Sequence, residues 1–320
     1  YGGEGVGILW ALEGATGKKL WHFDTAPTNL WSAKHANINA GGWVWYTPAF
    51  DEQGSMYFGT GNPGPFPGNE KYPWGSSRPG PNLYTNSLVE LNAATGKLQW
   101  YYQMTPHDLY DRDFQDPPIL LNANGRQTVI EAGKSGFVAA FDAQSGKLLW
   151  KRSVGTHNGH DNDGIYAMKG EYSKLKLPET VYPGLLGGVI APMATNGSTV
   201  FAPVVNHPVS YSKQTTPEET ATGGGELVAI DTATGAVKWV HKFTTSLFGA
   251  VTAVNNVVFA TTFNGTIYAF NATTGELIRE LPLPAGTNTG VAIEGNTLIA
   301  PAGLPVAAGQ KPALVAYRIG

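Results

Sequence analysis

The sequence contains no cysteine, which excludes disulfides, thiolate metal centres and the thioether attachment of a c-type haem. Charge is also scarce: Asp, Glu, Lys and Arg make up 14% of the 320 residues, and the formal net charge is −3. With no Lys/Arg cluster, the chain lacks the electrostatic footprint of a nucleic-acid-binding protein. No apolar run approaches the ~20 residues that a membrane-spanning helix needs. Neither a starting methionine nor an export leader stands at Tyr1, so the chain reads as processed or truncated, with any address already removed.

Glycine, proline and aromatics are plentiful, with 41 Gly, 22 Pro, 9 Trp and 14 Tyr. Many turns, many aromatics and few charges predict a β-rich, loop-rich globule. Self-similarity then decides the fold class. Five segments share a β-rich run, a polar turn ending in Thr/Ser-Gly, and a second short strand: "ILWALEGATGKKLWHF", "LVELNAATGKLQWYY", "VAAFDAQSGKLLWKR", "LVAIDTATGAVKWVH" and "IYAFNATTGELIREL". The turn glycines are Gly17, Gly96, Gly146, Gly235 and Gly275. Four copies carry a tryptophan four residues later, at Trp21, Trp100, Trp150 and Trp239, and the fifth has Arg279. Glycine suits a hairpin position with positive φ, and the aligned indole can cover the next sheet.

Two further strand-like runs precede most copies, as in "GAVTAVN" with "NVVFATTF". Four strands per unit is the composition of a propeller blade. The expected fold is therefore all-β, a propeller of four-stranded antiparallel blades forming one domain over residues 1–320. Pro/Gly-rich inter-blade insertions are expected at about 24–42 and 155–186. Strand counting gives the last two strands of one blade, four complete blades, and three strands of another. That count does not close a ring, and the expectation is that N-terminal blades are missing.

In an up-and-down blade the connections between second and third strands, and those between blades, lie at one end. Glu4, Asn62, Asp111, Asp113, Lys134 and Asn206 fall in or beside such connections, with Trp45 and Phe248 near the starts of inner strands. All are expected around one mouth of the axis, opposite the Thr-Gly hairpins. Glu4, Asn62 and the Asp111/Asp113 pair offer oxygen donors without nitrogen or sulfur, a set suited to a hard cation. Two aspartates two residues apart in extended backbone point the same way. Held together, they must share a proton, stay hydrated or bind a cation. One can ligate metal while the other takes a proton from a hydroxyl; equally, an Asp-rich loop can simply cap its own turns.

The run "TGNPGPF…RPGPNLYTNSLVELNAATGKLQWYYQMTPHDLYDRDF" resembles the pyrroloquinoline-quinone (PQQ) dependent alcohol dehydrogenases, and the Thr-Gly…Trp hairpins look like their tryptophan-docking repeats. The likeness covers nearly the whole chain, is most specific between Glu4 and Asp113, and fades after Lys134. It implies that Glu4 in "GGEGVG" and Asn62 in "TGNPG" are metal ligands and that Asp111 in "PHDLYD" is the catalytic base. Asp113 matches the further aspartate of lanthanide-type members. Trp45 matches the aromatic floor under the quinone and Lys134 the cation beside its reactive carbonyl, with Asn206 and Phe248 as further cofactor contacts. The chain departs from the family in lacking the vicinal Cys-Cys cover, in Tyr110 for the usual Trp, and in Phe248 where a Trp often stands.

The resemblance implies oxidation of a small-molecule alcohol, with PQQ and Ca2+ or a lanthanide as cofactors. A separate cytochrome or quinone would be the electron acceptor, and the compartment periplasmic or secreted. The rival expectation is a non-catalytic PQQ-like propeller acting as an interaction scaffold. Elsewhere, "HNGHDND" offers His157, His160, Asp161 and Asp163 either as metal ligands or as a solvated loop. His107 beside Asp108 can orient the base loop or brace a turn.

Overall fold

The computed structural model describes residues 5–176, 179–213, 216–219 and 223–318. Its backbone is built on six successive up-and-down antiparallel sheets, which we number I to VI. Sheet I is the hairpin Ile8–Leu12 and Lys19–Asp24. Sheets II to V have four strands each, and sheet VI has three, Ala292–Glu294, Thr297–Ala302 and Ala313–Arg318. Sheet III shows the pattern: Ile119–Ala123, Arg126–Ala132, Phe137–Asp142 and Leu148–Ser153 pair in chain order. The strand count read from the repeats is the one observed.

Burial follows from this stacking. Third strands such as Ser87–Asn92 (SLVELN) and Phe137–Asp142 (FVAAFD) are buried at nearly every position, because each is covered on both faces by a neighbouring sheet. Fourth strands such as Leu98–Gln103 alternate between exposed and half-buried residues, as expected on an outer edge with one solvated face. Apolar clusters form between sheets. One joins Ile130, Val138 and Ala140 to Val200, Ala202 and Val228, and the next joins Phe201 and Leu227 to Val258 and Phe270.

The repeated turn works as a docking device. Asn92, Asp142, Asp231 and Asn271 each accept, through Oδ1, the backbone N–H three residues on, and the turn glycine sits at positive φ, 69° at Gly96 and 67° at Gly146. A Cβ there would lie 2.5 Å from the indole of the preceding sheet's tryptophan, Trp21 for Gly96 and Trp100 for Gly146. The same indoles donate Nε1–H to the neighbouring turn: Trp21 to Ala93 O at 3.1 Å, Trp100 to Ala143 O at 3.0 Å, Trp150 to Thr232 O at 3.0 Å and Trp239 to Ala272 O at 3.1 Å. Each tryptophan thus fastens its sheet to the following one by ring contact and a hydrogen bond together.

Long connections fold over one another beside the blades and make a core of their own. Trp74, Leu109, Tyr110, Val181, Val209 and Tyr211 pack together, bringing the 60–86 connection, the base loop and a small sheet into one layer. That sheet pairs Glu179–Val181 with Val209–Lys213, and Val209–Lys213 with Thr216–Glu219. The hairpin of that sheet, inserted in sequence between the second and third strands of sheet IV, was not legible as a strand pair, because its polar, Thr/Ser/Glu-rich sequence lacks the apolar alternation of a blade strand. The stretch between sheets III and IV contains a short helix, Asp163–Met168.

Candidate functional site

The base loop, Thr105–Asp116, is pinned by buried polar groups. Arg78, 0% exposed, donates from Nη2 to Asp108 O at 2.6 Å and to Pro65 O at 3.0 Å, and from Nη1 to Asn82 Oδ1 at 2.6 Å. Burial lowers its guanidinium to about 10, which still leaves it charged at neutral pH. His107 lies between Gly80 O and Trp74 O at 3.0 and 3.1 Å. Burial, and next the charge of Arg78, lower it to about 4, against the pull of the two carbonyls. The Asp108 carboxylate accepts the Tyr110 and Arg112 N–H groups at 2.8 and 2.6 Å and Asn86 Nδ2 at 2.9 Å. His107 and Asp108 therefore brace the loop separately, each through other partners.

With the loop held, Asp111 adopts φ 61°, a conformation Asp tolerates better than most residues. Its Oδ2 and that of Asp113 each lie 2.7 Å from Lys134 Nζ. Asp113 Oδ1 also accepts the Asn62 N–H at 2.7 Å, which ties the "TGN" connection of sheet II to the base loop. Lys134 comes from the turn between second and third strands of sheet III, and its N–H donates to Asp113 O at 2.8 Å. Burial, and then repulsion from Asp113, push the Asp111 carboxyl up to about 7 against the pull of Lys134. The two carboxylates together raise the Lys134 ammonium, outweighing the burial that would lower it.

Trp45 stands next to this cluster. A Cβ on Gly61 would be 3.0 Å from Trp45 Nε1 and 3.1 Å from Asp113 Oδ1, so glycine is what lets the indole approach the carboxylate. Trp45 is 58% exposed and packs edge-on against Trp43, with ring centroids 5.9 Å apart, leaving a broad aromatic face to solvent. Asn62, Asp111, Asp113, Lys134 and Trp45 are thus brought together. Asn206 is used otherwise: Oδ1 accepts the Thr156 N–H at 2.8 Å and Nδ2 reaches Glu226 at 3.3 Å. Phe248 packs against His207 and Phe263. Glu4 lies outside the described residues. Among the described residues no three His, Asp or Glu side chains form a metal-binding group.

The "HNGHDND" stretch is more than a solvated loop. His157 Nδ1 meets Asp161 at 2.9 Å, and Asp163 is shared by His160 at 2.8 Å and the Tyr110 hydroxyl at 2.5 Å. It therefore buttresses the base loop, because the imidazoles and carboxylates pair with one another rather than converge. Arg78 and Arg112, both buried, are functional-loop residues that sequence reasoning missed. A lone Arg in a Pro/Gly-rich loop reads as solvated, and nothing local signals burial.

Two family models match in succession. Residues 3–153 match the beta-propeller domain of glucose/ethanol/alcohol dehydrogenase, and residues 191–318 match the outer membrane protein assembly factor BamB. The quinohemoprotein alcohol dehydrogenase of Comamonas testosteroni is 29% identical over 345 residues, 91% of this chain and 48% of the relative. Its crystal structure superposes with a TM-score of 0.79, covering 97% of this chain and 55% of that one at 25% identity. The chain is a relative of the quinoprotein alcohol dehydrogenases. The quinoprotein alcohol dehydrogenase PedH of Pseudomonas putida is 30% identical over 321 residues, covering 88% of this chain and 50% of that protein. A europium-containing methanol dehydrogenase shares the fold, with a TM-score of 0.74 over 93% of this chain and 62% of that chain at 18% identity. The chain spans about half the length of the curated relatives it matches.

The residues present fit the cofactors of such enzymes in two respects. The oxygens of Asp111 and Asp113 already gather round one cation, the Lys134 ammonium, and carboxylate oxygens are the donors a hard metal ion prefers. The exposed indole of Trp45 beside them offers a flat apolar surface suited to a planar ring system.

Proposed function

We propose that this chain oxidises a small-molecule alcohol with PQQ and Ca2+ or a lanthanide, Asp111 serving as the general base. The observation that carries the reading is the Asp111–Lys134–Asp113 cluster beside the exposed Trp45. Asn62 and Asp113, with Glu4, would hold the metal, and Trp45 would support the quinone. When bound, PQQ would supply the acceptor for the hydride, which carries both electrons away from the alcohol carbon, and the metal would polarise its carbonyl.

The chain's own residues account for the proton. Asp111 Oδ2 is bonded to Lys134 Nζ at 2.7 Å, which orients the carboxylate and leaves Oδ1 to receive the hydroxyl proton. A carboxyl raised to about 7 is a far better proton acceptor at neutral pH than an ordinary aspartate, since base strength follows pKa. Lys134 keeps the two neighbouring carboxylates together while the proton is held. Arg78 and Asp108 fix the loop backbone, so the base does not have to be ordered at each turnover. A separate cytochrome or quinone as electron acceptor and a periplasmic or secreted location belong to the same proposal.

The test is to add PQQ with Ca2+ or La3+ to the metal-free protein and follow quinone absorbance together with dye-linked alcohol oxidation. Binding with turnover, and loss of turnover with retained PQQ in Asp111→Asn, is the expected result. No quinone binding with either ion would favour a scaffold propeller, a reading supported by the match of residues 191–318 to an assembly factor.

A further inference from the structure

The base loop has a second face. Arg112 lines a pocket of about 190 Å³ that neither Asp111 nor Lys134 borders, together with Tyr110, Ser135, Phe137, Lys151 and Asp161. The pocket lies between the base loop and the 160–164 segment, and has room for about six water molecules.

Two donors in its wall are unspent. Arg112 is 4% exposed and Ser135 3% exposed, and neither Arg112 Nη2 nor Ser135 Oγ has a hydrogen-bond partner among the described residues. The nearest carboxylates do not fill the need. Asp161 is 3.8 Å from Arg112 Nη1, too far for a hydrogen bond, and its oxygens lie 2.9 and 3.0 Å from His157 Nδ1. Asp108 is spent on Tyr110, Arg112 and Asn86. A buried guanidinium N–H left without an acceptor is costly, and the residue that carries it lines the pocket. Lys151, 4.4 Å above the Phe137 ring, adds a second positive charge at the rim.

We propose that this pocket binds a small oxyanion, a carboxylate or phosphate group, with Arg112 Nη2 and Ser135 Oγ donating to its oxygens. Guanidinium and hydroxyl donors suit such oxygens in charge and geometry. The site is independent of the quinone reading, since no residue assigned to PQQ or metal lines it. An occupant held by Arg112 and Ser135 would cross-link the base loop to the turn between the second and third strands of sheet III and stiffen the loop that carries Asp111.

Isothermal titration calorimetry of the 320-residue protein with sodium acetate and, separately, inorganic phosphate at fixed ionic strength tests this. Saturable binding of either ion is expected, weakened about tenfold by Ser135→Ala and abolished by Arg112→Gln. Binding of phosphate alone or acetate alone would identify the class of ligand within the proposal. If Arg112→Gln loses its native circular dichroism, Ser135→Ala decides, because that hydroxyl has no partner to lose. No saturable heat with either ion, or an affinity unchanged by Ser135→Ala, overturns the proposal.

Discussion

Two carboxylates around one ammonium make Lys134 the most consequential single residue of the site. Lys134→Met would leave Asp111 and Asp113 facing one another without a counter-charge, and breaking a buried pair this way costs about 3–5 kcal/mol; urea unfolding at pH 7 measures it. The pH dependence has a definite sign. In the metal-free protein the Asp111 carboxyl, held up by burial and then by Asp113, should lose its proton at about 7, and a pH titration of its side-chain carboxyl resonance checks this. Removing the repulsion with Asp113→Asn should move that midpoint to lower pH, and an unmoved midpoint in the same titration of the metal-free protein would exclude Asp113 as a source of the shift. The aspartate spacing and the "TGN" and "PHD" runs were legible because they are local in sequence. The ion pair with Lys134 was not, since it depends on two separate loops arriving at the same point.

At the scale of the repeated element, the tryptophan and the glycine of the next turn form one device. Gly146→Ala combines a φ of 67° with a Cβ 2.5 Å from the Trp100 ring, whereas Gly54→Ala has φ 87° and open space. Gly54→Ala should cost about 1–2 kcal/mol, the left-handed penalty alone. Gly146→Ala should cost a further ~1–3 kcal/mol for the displaced indole. Equal losses in chemical denaturation would show that the ring contact contributes nothing. The periodicity of Thr-Gly and Trp revealed this element in the sequence. The Asn or Asp four residues before Gly96, Gly146, Gly235 and Gly275 carries the same signal, because its side chain caps the turn.

Across the whole molecule, stacked sheets bury carboxyls that do not belong to the site. Glu131 and Asp116 are buried, and their pKa values are raised well above the ordinary range, chiefly by desolvation and, for Glu131, by Asp116 as well. In the unfolded chain Glu131 ionises near pH 4.3, while in the fold it holds its proton to higher pH. The unfolded state therefore binds fewer protons across that window, and stability falls as pH rises through it. Glu131→Gln should raise the thermal midpoint at pH 8 more than at pH 4; an equal shift at both pH values would mean the side chain titrates normally. Sheets I and VI expose Trp10, Leu12, Ile299 and Leu314.

The sequence alone determined the blade, the order of the sheets and the Asp-rich loop, because each is written in residues close together along the chain. Tertiary structure alone decided which polar groups met. The buried Arg78 and Arg112, the bracing of the base loop by Tyr110, Asp163 and His160, and the separate engagement of Asn206 arise where long connections cross. Such connections carry no hydrophobic period. Their partners are set by where rigid sheets deliver the loop ends and by the need to satisfy every charge taken out of water.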